Sequence, residues 1–76
     1  MSRELHELEA VALHETDKGL LVCRLEDYED DHRRIPEDKK VWLPKSQIDE
    51  HSEVNEKGDN GVLIIPMWLA EQEDLV

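Results

Sequence analysis

Thirteen consecutive residues near the middle of the chain, Glu26 to Asp38, contain seven Asp and Glu. Such a run has little to bury and reads as an exposed loop. The core must therefore come from the apolar segments on either side, none of which has an uninterrupted apolar run longer than four residues. Spanning a bilayer as a helix takes about 20 apolar residues, so no membrane segment is expected. With 76 residues there is room for one small domain, residues 1–76. A domain of that size hides only about 60 per cent of its unfolded surface.

The apolar residues are grouped in periodic segments, which favours folding over disorder. Residues 1–7 are polar and read as frayed, with Leu5 and Leu8 able to start a helical turn. Glu9 to Glu15 alternates, with Val11 and Leu13 on one face. Thr16-Asp17-Lys18-Gly19 supplies turn chemistry, Gly19 being free to take positive φ. Leu20 to Glu26 follows as the second arm of a hairpin. After the acidic loop, Val41-Trp42-Leu43-Pro44 reads as a third strand that ends or lies at an edge, because Pro44 cannot donate to a ladder. Lys45 to Ile48 reads as a turn that folds Ile48 back onto the core. His51 to Asn55 reads as a short fourth strand around Val54. Lys57-Gly58-Asp59-Asn60-Gly61 is the strongest turn signal, and Val62 to Ile65 a buried strand. Pro66 suits the first position of a short helix reaching about Gln72. The expected fold is mainly β: a small antiparallel sheet, or an SH3-like partly open barrel, of four or five strands with a short C-terminal helix.

Two phrases in the second half belong together. Lys40-Val41-Trp42-Leu43-Pro44-Lys45-Ser46-Gln47-Ile48, followed by Ile64-Ile65-Pro66-Met67-Trp68-Leu69-Ala70-Glu71, resembles small proteins encoded in bacteriophage and prophage genomes, in which a VW(I/L)PKSQI segment precedes an IPxWLAE segment. The resemblance covers about 30 positions, and the acidic loop is longer and more charged than that pattern. It implies a phage or mobile-element setting and carries over no catalytic residue. The matched residues also make structural sense as strand and helix start.

Chemistry is sparsely marked. His6, His14, His32 and His51 lie far apart, and no CxxC, HxxxH or HExxH spacing occurs. His14 and Cys23 are the only pair that the hairpin would set face to face, and two ligands do not make a structural zinc site. Asp27, Glu29 and Asp31 have the alternation of a calcium loop, but His32 stands where glycine is needed and Asp38 where the last glutamate belongs. No Ser or Cys has a neighbouring base-plus-orienter signature, and no Gly-rich loop could cradle a phosphate. No enzyme, cofactor or metal is expected. One cysteine and a charged beginning at Met1-Ser2-Arg3-Glu4 fit the reducing cytoplasm of a bacterial host.

Charge is the large signal. Twenty Asp and Glu against nine Lys and Arg leave a formal charge of -11. That excludes direct nucleic-acid binding and an acidic membrane surface as partners. Carboxylates spaced along exposed loops can instead imitate DNA phosphates and occupy a basic groove. The candidate partner-binding residues are Glu26, Asp27, Glu29, Asp30, Asp31, Glu37 and Asp38, then Asp49, Glu50, Glu53, Glu56 and Asp59. Tyr28 and Trp42 supply apolar anchoring, Trp42 because it alternates with Val41 and Leu43. In a chain without Phe, Trp68 is expected to fill the core.

The leading reading is a non-enzymatic phage-type inhibitor, anti-CRISPR or anti-restriction, that binds a host protein with a basic nucleic-acid-binding surface. The alternative is an accessory interaction module of a phage recombination or replication assembly, in which acidity serves solubility. An exposed edge strand also leaves a homodimer open. Self-repulsion at -11 subtracts from stability and is screened by salt. Thermal denaturation at about 10 mM and 150 mM NaCl is expected to show Tm rising with salt by a few degrees; a flat or falling Tm would mean that repulsion does not limit stability.

Overall fold

The computed structural model describes Glu4–Val76. Its centre is a hairpin of β1 (Leu5–Glu15) and β2 (Gly19–Arg24). Val11 stands opposite Cys23 and Ala12 opposite Val22, and an irregularity after Ala12 brings His14 opposite Leu21. β3 (Val41–Pro44) adds antiparallel to β2, and β4 (Asn60–Pro66) antiparallel to β1, giving the order β3-β2-β1-β4. The chain closes with helix α1 (Met67–Gln72). Of the two expected architectures, this is the antiparallel sheet: β3 and β4 are its opposite ends and do not pair with each other.

β1 is longer than expected. Leu5 to Leu8 form no helical turn, because they pair with Pro66 to Leu63 of β4; Met1–Arg3 lie outside the described residues. β2 is shorter, since Leu25–Asp27 turn away as a single 3-10 turn. Gly19 does not use the left-handed region, where the glycines are Gly58 and Gly61. Its bare Cα matters through close approach: an added Cβ would lie 3.3 Å from Trp42 Cε3 and 3.2 Å from Thr16 Oγ1. Thr16 also closes the hairpin, its hydroxyl accepting the Gly19 N–H at 3.0 Å while its own N–H donates to the Gly19 carbonyl at 2.9 Å.

Four consecutive residues of β1, Ala10 to Leu13, are buried, so the sheet is covered on both faces. On one face Ala10, Ala12, Leu20, Val22, Leu43, Leu63 and Ile65 pack beneath Leu69 and Ala70 of α1, with Leu75 and Val54. On the other, Val11, Leu13 and Cys23 pack against Ile35, from the middle of the acidic run. The helix begins one residue later than expected: Pro66 keeps an extended backbone (φ −60, ψ 143) and caps it. Its end is a Schellman motif, with Leu75 N–H donating to Ala70 O at 2.7 Å and Asp74 N–H to Glu71 O at 3.2 Å. Asp74 takes the left-handed position (φ 60), where glycine is usual. That turn drives Leu75 into the core.

Trp68 is not core. It is 55% exposed, because the buried stripe of α1 falls on Leu69 and Ala70, leaving Trp68 on the outer side. Nor is His51–Asn55 a strand. Side chains there replace a backbone ladder along the outer edge of β4. Ile64 N–H donates to Ser52 Oγ at 2.7 Å, and the Ser52 hydroxyl donates to Ile64 O at 3.1 Å. Asp49 N–H adds a bond to Ile64 O at 2.8 Å. Glu53 N–H donates to Val62 O at 2.8 Å, while its carboxylate accepts Val62 N–H at 2.9 Å. Val54 is still fully buried, and Ile48 packs against the core as expected. No helix among the described residues is long and apolar enough to cross a membrane.

Ser52 is itself buried, so removing its hydroxyl strands the Ile64 amide. Ser52→Ala should cost about 2 kcal/mol, the loss of one partner from a buried hydrogen-bonded pair. Denaturant unfolding reads the loss; an unchanged midpoint would show that the 49–53 segment is not what closes the β4 edge.

Candidate functional site

Three successive 3-10 turns, Leu25–Asp27, His32–Arg34 and Glu37–Lys39, give the acidic run its form. It is exposed for most of its length, as expected, but it is not a loop with nothing to bury. Ile35 is 2% exposed and packs with Val11, Leu13 and Cys23, and Tyr28 is half-buried against the same cluster. The Tyr28 ring meets His32 edge-on, with centroids 5.8 Å apart. The turns also bond internally: Arg34 N–H donates to Asp31 O and Lys39 N–H to Pro36 O, both at 2.9 Å.

The carboxylates fall into two kinds. Asp31 accepts the Arg33 amide at 3.1 Å and the Arg33 guanidinium at 3.1 and 3.3 Å. Those bonds hold its carboxyl below the usual aspartate range. Glu37 pairs with Lys40 at 3.1 Å and Glu26 with Arg24 at 3.4 Å. Asp27, Glu29, Asp30 and Asp38 make no ion pair within 4.0 Å among the described residues. All of them project from the segment that Ile35 fixes to the sheet.

Trp42 stands on the same face of the sheet. It lies opposite Leu21, which packs against the Ile35 cluster. The alternation of β3 leaves it 49% exposed while Val41 and Leu43 are buried, as expected from the sequence. Its ring meets His14 edge-on at 6.0 Å. His14 therefore does not face Cys23: the register places Cys23 opposite Val11, in the buried cluster. Burial pushes the Cys23 thiol up, and Asp27 adds to that shift. Among the described residues no three His, Cys, Asp or Glu stand together in a way that could hold a metal ion.

The second acidic group lies elsewhere. Asp49, Glu50 and Glu53 belong to the segment laid along β4, at the far end of the sheet from β3 and Trp42. Three strand spacings separate β3 from β4, about 14 Å. Asp49 and Glu53 have structural partners there: Asp49 accepts the His51 amide, and Glu53 the Val62 amide. Glu50 is exposed, and so is Glu56. Asp59 Oδ2 accepts the Asn55 and Glu56 amides at 3.1 and 3.0 Å and so shapes its own turn. Of the twelve carboxylates expected to act together, Asp49, Glu50 and Glu53 are thus set apart from the Glu26–Asp38 segment, whereas the turn around Asp59 borders Tyr28 and His32 through Lys57, Gly58 and Asn60.

A third feature escaped the sequence reading. Leu5, Ile48, Pro66, Met67 and Trp68 line an open groove of about 1080 Å³, with Ser46, Gln47, Glu4, Asp49 and Glu71 among its polar lining. It joins the two phrases, Lys40–Ile48 and Ile64–Glu71, that stand apart in the sequence. The exposed side of α1, set by the burial of Leu69 and Ala70, was the available signal. Compared with protein-family models, curated proteins and solved structures, the chain has no match.

Proposed function

We propose that this chain is a non-enzymatic binding module that docks through the Glu26–Asp38 face on a host protein whose basic surface otherwise holds nucleic acid, and blocks that surface. The observation that carries the reading is the burial of Ile35. It turns a run of acids into a display with a fixed backbone, with Trp42 exposed on the same face as an apolar anchor. Carboxylates held in place lose little freedom on binding, so their attraction for Lys and Arg is not spent on ordering a loop. Asp27, Glu29, Asp30 and Asp38 are the charges available, and Trp42 and Tyr28 are the anchors. In the phage setting that the resemblance implies, the concrete form is an anti-CRISPR or anti-restriction protein acting in the bacterial cytoplasm.

One observation favours a second reading. The groove beside Trp68 is lined by the phrases on which the resemblance rests and lies outside the acidic face. An accessory module of a phage recombination or replication assembly would bind there, with acidity serving solubility.

Affinity capture from bacterial lysate separates the two, using wild type, a triple variant (Asp27→Lys, Glu29→Lys, Asp30→Lys) and Trp68→Ala. The mimic reading expects a nucleic-acid-handling protein that duplex DNA and about 0.5 M salt both release, salt at that level screening charges beyond a few ångströms. The triple variant should lose it, and Trp68→Ala should keep it. Retention through both washes, or capture that only Trp68→Ala abolishes, overturns the mimic.

A further inference from the structure

Three stretches of backbone edge in the described sheet differ in how far they are closed. The outer edge of β4 is occupied by Ser52 and Glu53. The outer edge of β3 is four residues long and ends in Pro44, which has no N–H to offer. The third stretch is the first half of β1. β1 outruns β2: their pairing stops at Ala10 opposite Arg24, where the chain leaves in the Leu25–Asp27 turn. Bonds between Met67 N–H and Glu4 O at 2.9 Å and between Ala12 N–H and Asp59 O at 2.8 Å fix which residues face β4. In an antiparallel ladder alternate residues bond the neighbour. Residues 4, 6, 8, 10 and 12 therefore face β4, and Leu5 and Glu7 turn their N–H and C=O the other way, beyond the end of β2.

We infer that this open edge of β1 accepts an extended segment of a partner protein as an added strand, one that alternates basic and apolar side chains. Charge complementarity chooses the occupant. Glu7 and Glu9 are exposed on one face beside the edge, and Glu4 and Glu26 are exposed at its ends. Arg24, the cation beside it, is engaged by Glu26 at 3.4 Å and by the Asp74 carbonyl at 3.3 Å. Exposed Leu25 and Val76 stand next to it, lining a shallow hollow with His6, Leu8 and Leu75. Lysine or arginine side chains would meet Glu7 and Glu9 on one face, while the intervening apolar side chains cover Leu8, Leu75 and Val76 on the other; Leu25 stands at the end of the edge, bordering both this hollow and Val11, Leu13 and Tyr28. A second copy fits badly. Antiparallel self-pairing here puts Glu7 opposite Glu7, Glu9 or Leu5, and brings together two chains of formal charge -11. This surface meets the Glu26–Asp38 face at Glu26, but it uses none of Asp27, Glu29, Asp30 or Asp38 and does not depend on the function proposed for them.

The probe is a capped peptide of alternating lysine and valine, with a matched peptide N-methylated at every second amide. Amide exchange and NMR shifts are read on the full chain. The expected result is slowed exchange of the Leu5 and Glu7 amides with the first peptide, and binding at least about 10-fold weaker with the second, since main-chain hydrogen bonds carry this mode. Glu7→Pro should abolish the protection without breaking the β1–β4 ladder, because the Glu7 N–H is not part of it. Equal binding of both peptides, or shifts confined to residues 26–38, would reduce the effect to unspecific charge attraction and overturn the proposal. So would protection of Leu5 and Glu7 that appears without peptide and grows with protein concentration, which would identify a second copy as the occupant.

Discussion

Two central strands that are apolar on both faces have to be covered on both faces, and the rest of the structure follows from that. A sheet with one wet face needs only one covering layer. Here Ala10 to Leu13 are all buried, so one layer is not enough. The C-terminal helix covers one side, with Leu69, Ala70 and Leu75. Among the described residues the other side is covered by the acidic run, whose single aliphatic residue, Ile35, packs there with Tyr28. Burying one such side chain is worth roughly 2 kcal/mol, a large fraction of what a domain of this size has to spare.

This constraint links stability to display. The charges of the Glu26–Asp38 segment repel one another and would favour an extended, solvated chain. Ile35 opposes that, and local bonds such as Asp31 with Arg33 shape the turn around it. What results is a covering layer whose inner side is apolar and whose outer side carries Glu26, Glu29, Asp30, Glu37 and Asp38 beside exposed His32, Arg33 and Arg34. The irregular segment Asp49–Glu53 solves a different problem by similar means, with side chains of Ser52 and Glu53 closing an edge that backbone would otherwise close. In both places a few side-chain contacts stand in for regular secondary structure.

That is also why these segments were the hardest to read. β3 was legible to the residue, because Val41-Trp42-Leu43-Pro44 alternates cleanly and ends in a residue that cannot continue a ladder. The hairpin and the β4–helix junction were legible for the same reason: periodicity and turn residues agree. The extension of β1 to Leu5 was hidden, because Glu7 and Glu9 sit on a face that is not covered there. Ile35 carries no periodic signal among its acidic neighbours, and 3-10 turns leave none. The exposure of Trp68 depends on which side of a six-residue helix meets the sheet, and that is decided by Leu69, Ala70 and the return of Leu75. For the candidate site, the prominence of Trp42 was readable from alternation. The separation of Asp49, Glu50 and Glu53 from the other acids was not, since it depends on strand order.

Ile35 holds the acidic segment to the sheet, and backbone relaxation tests that directly. The heteronuclear NOE of Glu29, Asp30 and Asp38 should match that of β1 and β2 in the wild type. In Ile35→Ala it should fall across Glu26–Lys39, while the β1–β4 ladder keeps its values. Low values across Glu26–Lys39 in the wild type, or high values unchanged by Ile35→Ala, would contradict the claim that this one side chain makes the acidic face a fixed surface.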